Sequence, residues 1–168
     1  MPLRILILDD IRSTHNVGSI LRTADGFGVN EVFFCGYTPY PAIPNDPRLP
    51  HEREKLTRAI HKTALGAEKT MPITVFTTTA EAITEARRRG YTVAALEQAA
   101  DSTPLWSFSA PKKLAIVLGN EVTGIANDTL EMSDMTLEIP MFGKKESFNV
   151  SVSAAICLYE LARHNHAS

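Results

Sequence analysis

Residues 139–153 read IPMFGKKESFNVSVS, and the expected fold is organised around this stretch. It begins with the end of an apolar, strand-like segment, which stops at Pro140 because proline has no N–H to give to a sheet. A charged, glycine-bearing loop then leads into a mostly apolar segment, 150–162, that predicts a helix. Three short polar residues at the helix entrance can cap free amides: Ser147, Asn149 and Ser151. Taken alone, this pattern is typical of an ordinary, well-capped strand-to-helix connection.

Apolar runs and helical spacing alternate along the rest of the chain. Six short runs predict strands, at 3–8, 31–35, 73–77, 91–96, 114–118 and 136–139. Helical spacing predicts helices at 16–27, 51–64, 79–89 and 150–162. The segment 38–48 holds four prolines and predicts a loop. This alternation predicts an α/β fold with a mainly parallel six-stranded sheet and helices on both faces, in a single domain over 1–168.

Composition limits the class of protein. The net charge is −2, which argues against a globally basic nucleic-acid binder, although cations gather between Arg48 and Lys69. No apolar run approaches the ~20 residues of a membrane span, and the first residues lack a signal-peptide pattern. Cys35 and Cys157 lie in apolar segments and predict buried thiols rather than a disulfide. These features predict a soluble, cytoplasmic protein.

Three polar loops follow predicted strands, where parallel sheets bind ligands: 9–22, 119–124 and 139–153. None contains the G-x-G-x-x-G fingerprint of dinucleotide binding or a phosphate-binding P-loop. Each loop also has a structural explanation, with Asn16 as a helix cap, Gly18 as a packing contact and Arg22 as a surface residue. A single loop therefore does not assign a function.

The three loops together carry motifs in a characteristic order. They are Asn16-x-Gly18-x-x-x-Arg22, the run LGNEVTGI at 118–125, and the stretch 139–152. This combination resembles the SpoU branch of the SPOUT superfamily, the S-adenosylmethionine-dependent RNA ribose 2′-O-methyltransferases. The segment KTALGAE at 62–68 is similar to a further family feature. The motifs span residues 16–152, nearly the whole chain.

The resemblance implies properties that periodicity does not predict. Members fold as an α/β domain with a deep C-terminal trefoil knot, and they form homodimers whose active site takes residues from both subunits. The cofactor implied is S-adenosylmethionine. By similarity it lies against five residues, namely Leu96, Gly119, Ile139, Met141 and Phe148. Phe148 stands where relatives often have leucine, a change that keeps the site apolar.

The resemblance also implies the catalytic residues. Arg22 matches the catalytic arginine, either as a base or as a group that binds phosphate and stabilises the developing alkoxide. Asn16 and Asn149 are expected to orient Arg22 and the ribose, and Ser147 to lie near the nucleophile. Glu121 is expected either to supply charge and positioning in the pocket or to accept loop amides as a structural residue.

The expected partners are RNA and a second copy of the chain. Without a separate RNA-binding domain, the catalytic domain itself is expected to hold tRNA or rRNA, with tRNA the first choice, through residues 48–69 and the proline-rich loop before them. The final helix is apolar around almost its whole circumference, which predicts burial against a partner subunit. No metal is expected, because the histidines at 15, 51, 61, 164 and 166 lack ligand spacing.

Two alternatives stay open at this stage. A non-catalytic RNA-binding protein of the same fold would share the motifs but not bind S-adenosylmethionine. A nucleotide-dependent oxidoreductase on a doubly wound sheet would need a glycine fingerprint that this sequence lacks.

Overall fold

The chain forms one parallel sheet of seven strands, seen in a computed structural model that describes residues 2–166 and the side chains of residues 2–163. The sheet order is β3-β2-β1-β6-β4-β7-β5 and every neighbouring pair is parallel. In chain order the strands are β1 (Leu3–Asp9), β2 (Glu31–Cys35), β3 (Ile73–Phe76), β4 (Thr92–Leu96), β5 (Thr103–Pro104), β6 (Lys113–Leu118) and β7 (Met135–Glu138).

Helices cover both faces of this sheet. They are α1 (Thr14–Gly26), α2 (Pro50–Ala64), α3 (Ala67–Thr70), α4 (Thr79–Arg88), α5 (Asn127–Met132) and α6 (Val150–His166), with a 3₁₀ turn at Leu105–Ser107. One apolar core lies beneath α1, α2 and α6, and it includes Ile20, Leu118 and Leu158. The other core lies beneath α4, where Ile83 packs near Phe33. Burial on both faces explains why the central strands are continuously apolar.

The predicted α/β class and parallel sheet are confirmed, but the strand number of six is wrong. The seventh strand, β5, has only two residues, Thr103 and Pro104, which pair with the edge of β7. Two residues carry no alternation of apolar and polar side chains, so no periodic signal marks this strand. The knot is not tested by the sheet order and stays a prediction.

The start of α1 differs from the prediction. Ser13, and not Asn16, caps this helix, because the Ser13 Oγ accepts the Asn16 amide at 3.2 Å. Asn16 lies inside the first turn and is buried. Gly18 fulfils the packing role expected of it, since a β-carbon there would lie 2.1 Å from Thr63 Oγ1. The absence of a side chain at Gly18 thus lets α1 and α2 approach closely.

The proline-rich segment 38–48 is irregular, as predicted, but it is tied down. Asp46 and Arg48 form an ion pair of 2.5 Å in which the aspartate side chain is fully buried. Hydrogen bonds from Arg48 hold the pKa of Asp46 well below its usual range. The Arg48 guanidinium also lies 3.6 Å from the centre of the Tyr40 ring and bonds two loop carbonyls. Arg48 is therefore used within the loop.

Both cysteines are free and buried, as predicted. Burial raises the pKa of each thiol, Cys35 and Cys157, to about 12, so neither is ionised near neutral pH. Across residues 2–166, none of the helices is long and apolar enough to cross a membrane.

Candidate functional site

A cavity of about 700 Å³ opens at the carboxyl ends of β4 and β6. The chain reaches it three times: directly after β4, directly after β6, and at the entrance of α6. The lining combines apolar side chains with carboxylates and amides, and it includes Leu96, Glu97, Gln98, Leu118, Gly119, Asn120, Glu121, Ile125, Glu146, Ser147, Phe148 and Asn149. Position, size and mixed lining are those of a ligand site in a parallel sheet.

Glu121 joins the loop after β6 to the start of α1. One carboxylate oxygen accepts the Arg12 amide at 2.9 Å, and the other accepts the Ser13 amide at 3.1 Å and Asn16 Nδ2 at 2.9 Å. Both oxygens are thus occupied by donors from the segment that leads into α1. The structural role expected as one alternative for Glu121 is therefore present in its hydrogen bonds.

Asn16 carries the connection on to the third loop. Its Oδ1 accepts a hydrogen bond of 3.1 Å from Asn149 Nδ2. Asn149 precedes α6 and caps it, because its Oδ1 accepts the Ser151 amide at 2.9 Å. A network of side-chain hydrogen bonds, Glu121–Asn16–Asn149, thereby links all three motifs, and its two asparagines are 133 residues apart in the sequence.

The hydrogen bonds also fix the charge state of Glu121. Burial acts to raise its pKa, but the amides of Arg12 and Ser13 and the side chain of Asn16 outweigh that effect and lower it. Glu121 is therefore a carboxylate at neutral pH. A carboxylate whose oxygens both accept donors is a positioning group rather than a general base.

Gly119 is also required by the shape of its own loop. A β-carbon there would lie 2.5 Å from Ile125 Cγ1 and 2.8 Å from the Gly124 carbonyl carbon, so the loop closing on itself requires glycine. Gly124 has a φ of +68°, a left-handed conformation that favours glycine. Asn120 braces this turn by accepting the amides of Val122 and Thr123 and donating to the Asp10 carbonyl.

The predicted cofactor residues divide into three groups. Leu96, Gly119 and Phe148 line the main cavity. Ile139 lies beside it, in a small adjoining cavity of about 60 Å³ that Leu96 and Phe148 also line. Met141 is half-buried in the same loop and lines neither cavity.

The predicted catalytic residues are also not all brought together. Ser147 is exposed and lines both cavities, without a hydrogen bond in the described part of the chain. Arg22 is exposed on α1 and lines neither cavity. Its side chain makes no hydrogen bond or ion pair among residues 2–163, so within one copy no contact joins it to Asn16 or Asn149.

Glu97 and Gln98 are cavity residues that the sequence reasoning missed. They directly follow β4, and Glu97 accepts the Ile125 amide at 3.0 Å and the Gln98 amide at 2.9 Å. The rule that ligands bind beyond strand carboxyl ends would have found them, had it been applied to β4 as it was to β1 and β6.

Within the described residues, no group of three or more histidine, cysteine or acidic side chains is arranged to hold a metal ion. The side chains of His164 and His166 lie outside the described residues.

Comparison with known proteins gives a consistent result. The sequence model of the SpoU rRNA Methylase family matches residues 3–159. The chain is 37% identical over 164 residues to the 23S rRNA (guanosine-2'-O-)-methyltransferase RlmB of Nitrosomonas europaea. This alignment covers 98% of this chain and 57% of that protein. It is 35% identical over 165 residues to a putative TrmH family tRNA/rRNA methyltransferase of Staphylococcus aureus strain COL, with 60% of that protein covered. The chain thus spans less than two thirds of these relatives' length.

Solved structures with the same fold include a methyltransferase with its cofactor. The AdoMet-bound rRNA methyltransferase from Sinorhizobium meliloti matches with a TM-score of 0.77 and 26% identity, over 96% of this chain and 56% of that chain. The TrmH/SpoU tRNA modifying enzyme of A. aeolicus matches with a TM-score of 0.81 and 25% identity, over 99% of this chain and 77% of that chain.

Proposed function

Since the chain belongs to the SpoU rRNA methylase family, we propose that it transfers a methyl group from S-adenosylmethionine to a ribose 2′-hydroxyl of tRNA or rRNA. The observation that carries this proposal is the convergence of three distant motifs on one cavity through Glu121, Asn16 and Asn149. The relatives named above include a guanosine-2'-O-methyltransferase of ribosomal RNA and a tRNA modifying enzyme, which leaves both substrates in the proposal.

The cavity fits S-adenosylmethionine in size and chemistry. Its volume of about 700 Å³ falls within the ~300–1,000 Å³ usual for small-molecule sites. Leu96, Leu118 and Phe148 supply apolar surface for an adenine ring. The carboxylates of Glu97 and Glu146 suit the cationic ammonium and sulfonium groups. We therefore assign these residues, with Gly119 and Ile139, to cofactor binding, and place Met141 at the outer edge of the same site.

When bound, S-adenosylmethionine supplies a methyl group attached to a positively charged sulfur. The sulfur keeps the electron pair of the carbon–sulfur bond when that bond breaks. The chain must hold the ribose 2′-oxygen in line with that carbon and let its proton depart. Asn149 and Ser147 line the cavity and are assigned to orient the ribose, while the buried Asn16 is assigned to hold Asn149 through their hydrogen bond. Glu121 is assigned to fix Asn16.

Arg22 is assigned to bind phosphate and stabilise the developing alkoxide. A guanidinium has a pKa above ~12 and is a poor base, whereas it is a strong donor to anionic oxygen. Because Arg22 is exposed and does not line the cavity of its own copy, we propose that it acts in the site of a second copy.

The surface of α6 supports this homodimer. Ala154, Cys157, Leu158 and Leu161 form its buried face. On the opposite side, Val152 and Tyr159 are seven residues apart and are 46% and 60% exposed. Tyr159 and Phe27 line a shallow cavity where α6 meets the end of α1, the helix that carries Arg22. An exposed apolar stripe of this kind is buried at low cost by a second copy of itself.

The RNA-binding face is proposed to centre on α2. Three cations follow helical spacing there, and each is exposed; we call Lys55, Arg58 and Lys62 the basic stripe. None of the three has an ion pair in the part of the chain that the structure describes. Thr63, next to the stripe, donates to the His15 carbonyl at 2.9 Å, which places the end of α2 beside the start of α1 and hence beside the site. Arg48, expected in this face, is used within its loop.

We also propose the trefoil knot and a cytoplasmic location. Residues 139–149 connect β7, on the outer side of β4, to α6, which packs on the far side near α1. On this path they pass the carboxyl ends of β4 and β6, where the cavity lies, and a connection across the sheet at this point supports the proposed knot. An RNA substrate supports a cytoplasmic site of action.

The test is methyl transfer from S-adenosylmethionine labelled in its methyl group to RNA from a strain that lacks this protein. We expect label in tRNA or rRNA, and we expect Arg22→Ala to reduce the rate at least 100-fold. Calorimetry should show that Arg22→Ala binds the cofactor as the parent does, because Arg22 is assigned to the RNA phosphate and the ribose oxygen and not to the cofactor. A parent protein that binds RNA but not S-adenosylmethionine would instead support the non-catalytic alternative.

A further inference from the structure

Two aromatic side chains stack on each other in open solvent beside the cavity. The rings of Trp106 and Phe142 are nearly parallel, at 8°, with centroids 6.2 Å apart. Trp106 is 52% exposed and Phe142 is 88% exposed. Apolar rings left in water cost free energy, so a stacked pair with open outer surface is typical of a binding surface rather than of a core.

The backbone holds Trp106 in this orientation. Its neighbours in the 3₁₀ turn and just beyond it, Leu105 and Phe108, are both buried, at 3% and 9% exposure. The preceding strand β5 pairs with β7, and the Ser102 hydroxyl donates to Glu138 of β7 at 2.8 Å. With anchors on both sides, the turn holds the Trp106 ring in an outward, exposed position.

Phe142 belongs to the loop that forms one wall of the cavity. It lies three residues after Ile139 and six before Phe148, which both line the small cavity. Lys144 and Lys145 follow it, are exposed, and have no ion pair in the range 2–163 where side chains are described. Phe142 and two free cations therefore lie in the segment directly before Glu146, where this loop begins to line the cavity.

We infer that the Trp106–Phe142 pair is a stacking platform for an RNA base next to the methylated nucleotide, with Lys144 and Lys145 binding its phosphates. This inference rests on the proposed function. Single-stranded RNA is recognised by bases stacked on aromatic side chains and by cations along the backbone, and both groups are present here. The platform selects an unpaired nucleotide, as found in loops, rather than a base inside a duplex.

Charge favours RNA over a second copy of the chain as the occupant. Two unpaired lysines beside the rings would be costly to bury in a protein contact but are satisfied by phosphate. The apolar stripe on α6, with Val152 and Tyr159, already offers a separate surface for the homodimer.

The experiment uses the fluorescence of Trp106, the only tryptophan of the chain. The full-length protein is titrated with bulk tRNA, with bulk rRNA and with a double-stranded RNA of similar length. Binding is followed independently by the anisotropy of a dye-labelled RNA, and S-adenosylmethionine affinity by calorimetry. We expect the single-stranded regions of tRNA or rRNA to quench Trp106 in parallel with binding, and the duplex to leave it unchanged.

Variants measure the contribution of each ring. We expect Trp106→Ala and Phe142→Ala each to weaken RNA binding by roughly 5-fold to 100-fold, the range for loss of one base–aromatic stack. Cofactor affinity should stay within twofold of the parent. Trp106→Phe, which keeps an aromatic face, should recover most of the affinity. Tyr91→Leu, which removes an aromatic ring at the opposite end of the sheet, is the matched control and should bind RNA normally.

Each outcome decides between the readings. Quenching of Trp106 in the parent protein, together with weakened RNA binding by both alanine variants, supports the platform. Normal RNA binding and methylation by both variants, without quenching in the parent, overturns the platform and leaves the proposed function in place. A parent that neither binds nor methylates RNA overturns both. If the variants become monomeric in sedimentation experiments before RNA is added, the pair belongs to a contact between copies and the platform is overturned.

Discussion

Replacing Glu121 by alanine should destabilise the protein by an amount that follows from its contacts. The carboxylate accepts hydrogen bonds from the amides of Arg12 and Ser13 and from Asn16 Nδ2. A net ~0.5–1.5 kcal/mol per bond is usual. Because Glu121 is exposed and its bonds to the Arg12 and Ser13 amides lie at the surface, we take the lower end, which gives about 1.5 kcal/mol for three bonds.

The expected effect is measurable by thermal unfolding followed by circular dichroism. For a chain of this size, about 1.5 kcal/mol corresponds to a Tm lowered by roughly 3–6 °C. Glu121→Gln keeps one acceptor oxygen and should give an intermediate loss. Glu131→Ala, which removes an exposed glutamate without hydrogen bonds in the described structure, is the matched control and should change Tm little.

The pH dependence gives the same prediction a second readout. Hydrogen bonds lower the pKa of Glu121 in the folded state. The stability that the ionised Glu121 contributes to the folded state is therefore complete above the ordinary glutamate pKa of about 4.3. It is lost as the pH falls through the lower pKa of the folded state. The difference in Tm between parent and Glu121→Ala should be largest near neutral pH and should shrink below about pH 4. A Tm equal to that of the Glu131 control, or a difference independent of pH, would refute this reasoning.

Three further predictions concern packing, RNA binding and assembly. Gly18→Ala should lower the unfolding free energy by about 1–3 kcal/mol in urea titrations, since its β-carbon would lie 2.1 Å from Thr63 Oγ1. Gly143→Ala is the control and should be neutral, because its β-carbon meets nothing within 4 Å; equal stabilities of the two variants would contradict this. Changing all three cations of the basic stripe to glutamine should weaken RNA binding and reduce the salt slope by up to about three, while Lys112→Gln should not; an unchanged slope would exclude the stripe. Tyr159→Glu should give a protein that is monomeric in light scattering, binds S-adenosylmethionine and has lost methyl transfer. A variant that stays dimeric and fully active would contradict the proposed site shared between two copies.

The parts of the fold that carry strong patterns were predictable from the sequence. Central strands such as β1 and β6 contain uninterrupted apolar runs, at 5–8 and 114–118, because both faces are buried, and the predicted strand positions agree with the structure to within a residue or two. The two-residue strand β5 and the short helices α3 and α5 were missed, because four to six residues complete barely one helical period. Tertiary contacts, not local pattern, create these elements.

The site was predictable as a set of motifs but not as a set of contacts. The resemblance selected Asn16, Glu121 and Asn149 together, and their hydrogen bonds join them. It did not reveal that Ser13, rather than Asn16, caps α1, since several polar residues near a helix start can serve equally well. Nor did it reveal that Gly119 is required by the closure of its own loop, because a collision with Ile125 exists only in three dimensions.

Methylation of a ribose oxygen of RNA in this cavity is tested most directly by the identity of the product. RNA treated with the protein and S-adenosylmethionine is digested with alkali and analysed by mass spectrometry. A ribose 2′-O-methyl group blocks alkaline cleavage at its own nucleotide, so we predict an alkali-resistant dinucleotide carrying one methyl group, absent with Arg22→Ala. A methyl group found on a base, or RNA that stays unmodified while the protein binds both RNA and S-adenosylmethionine, would contradict the account.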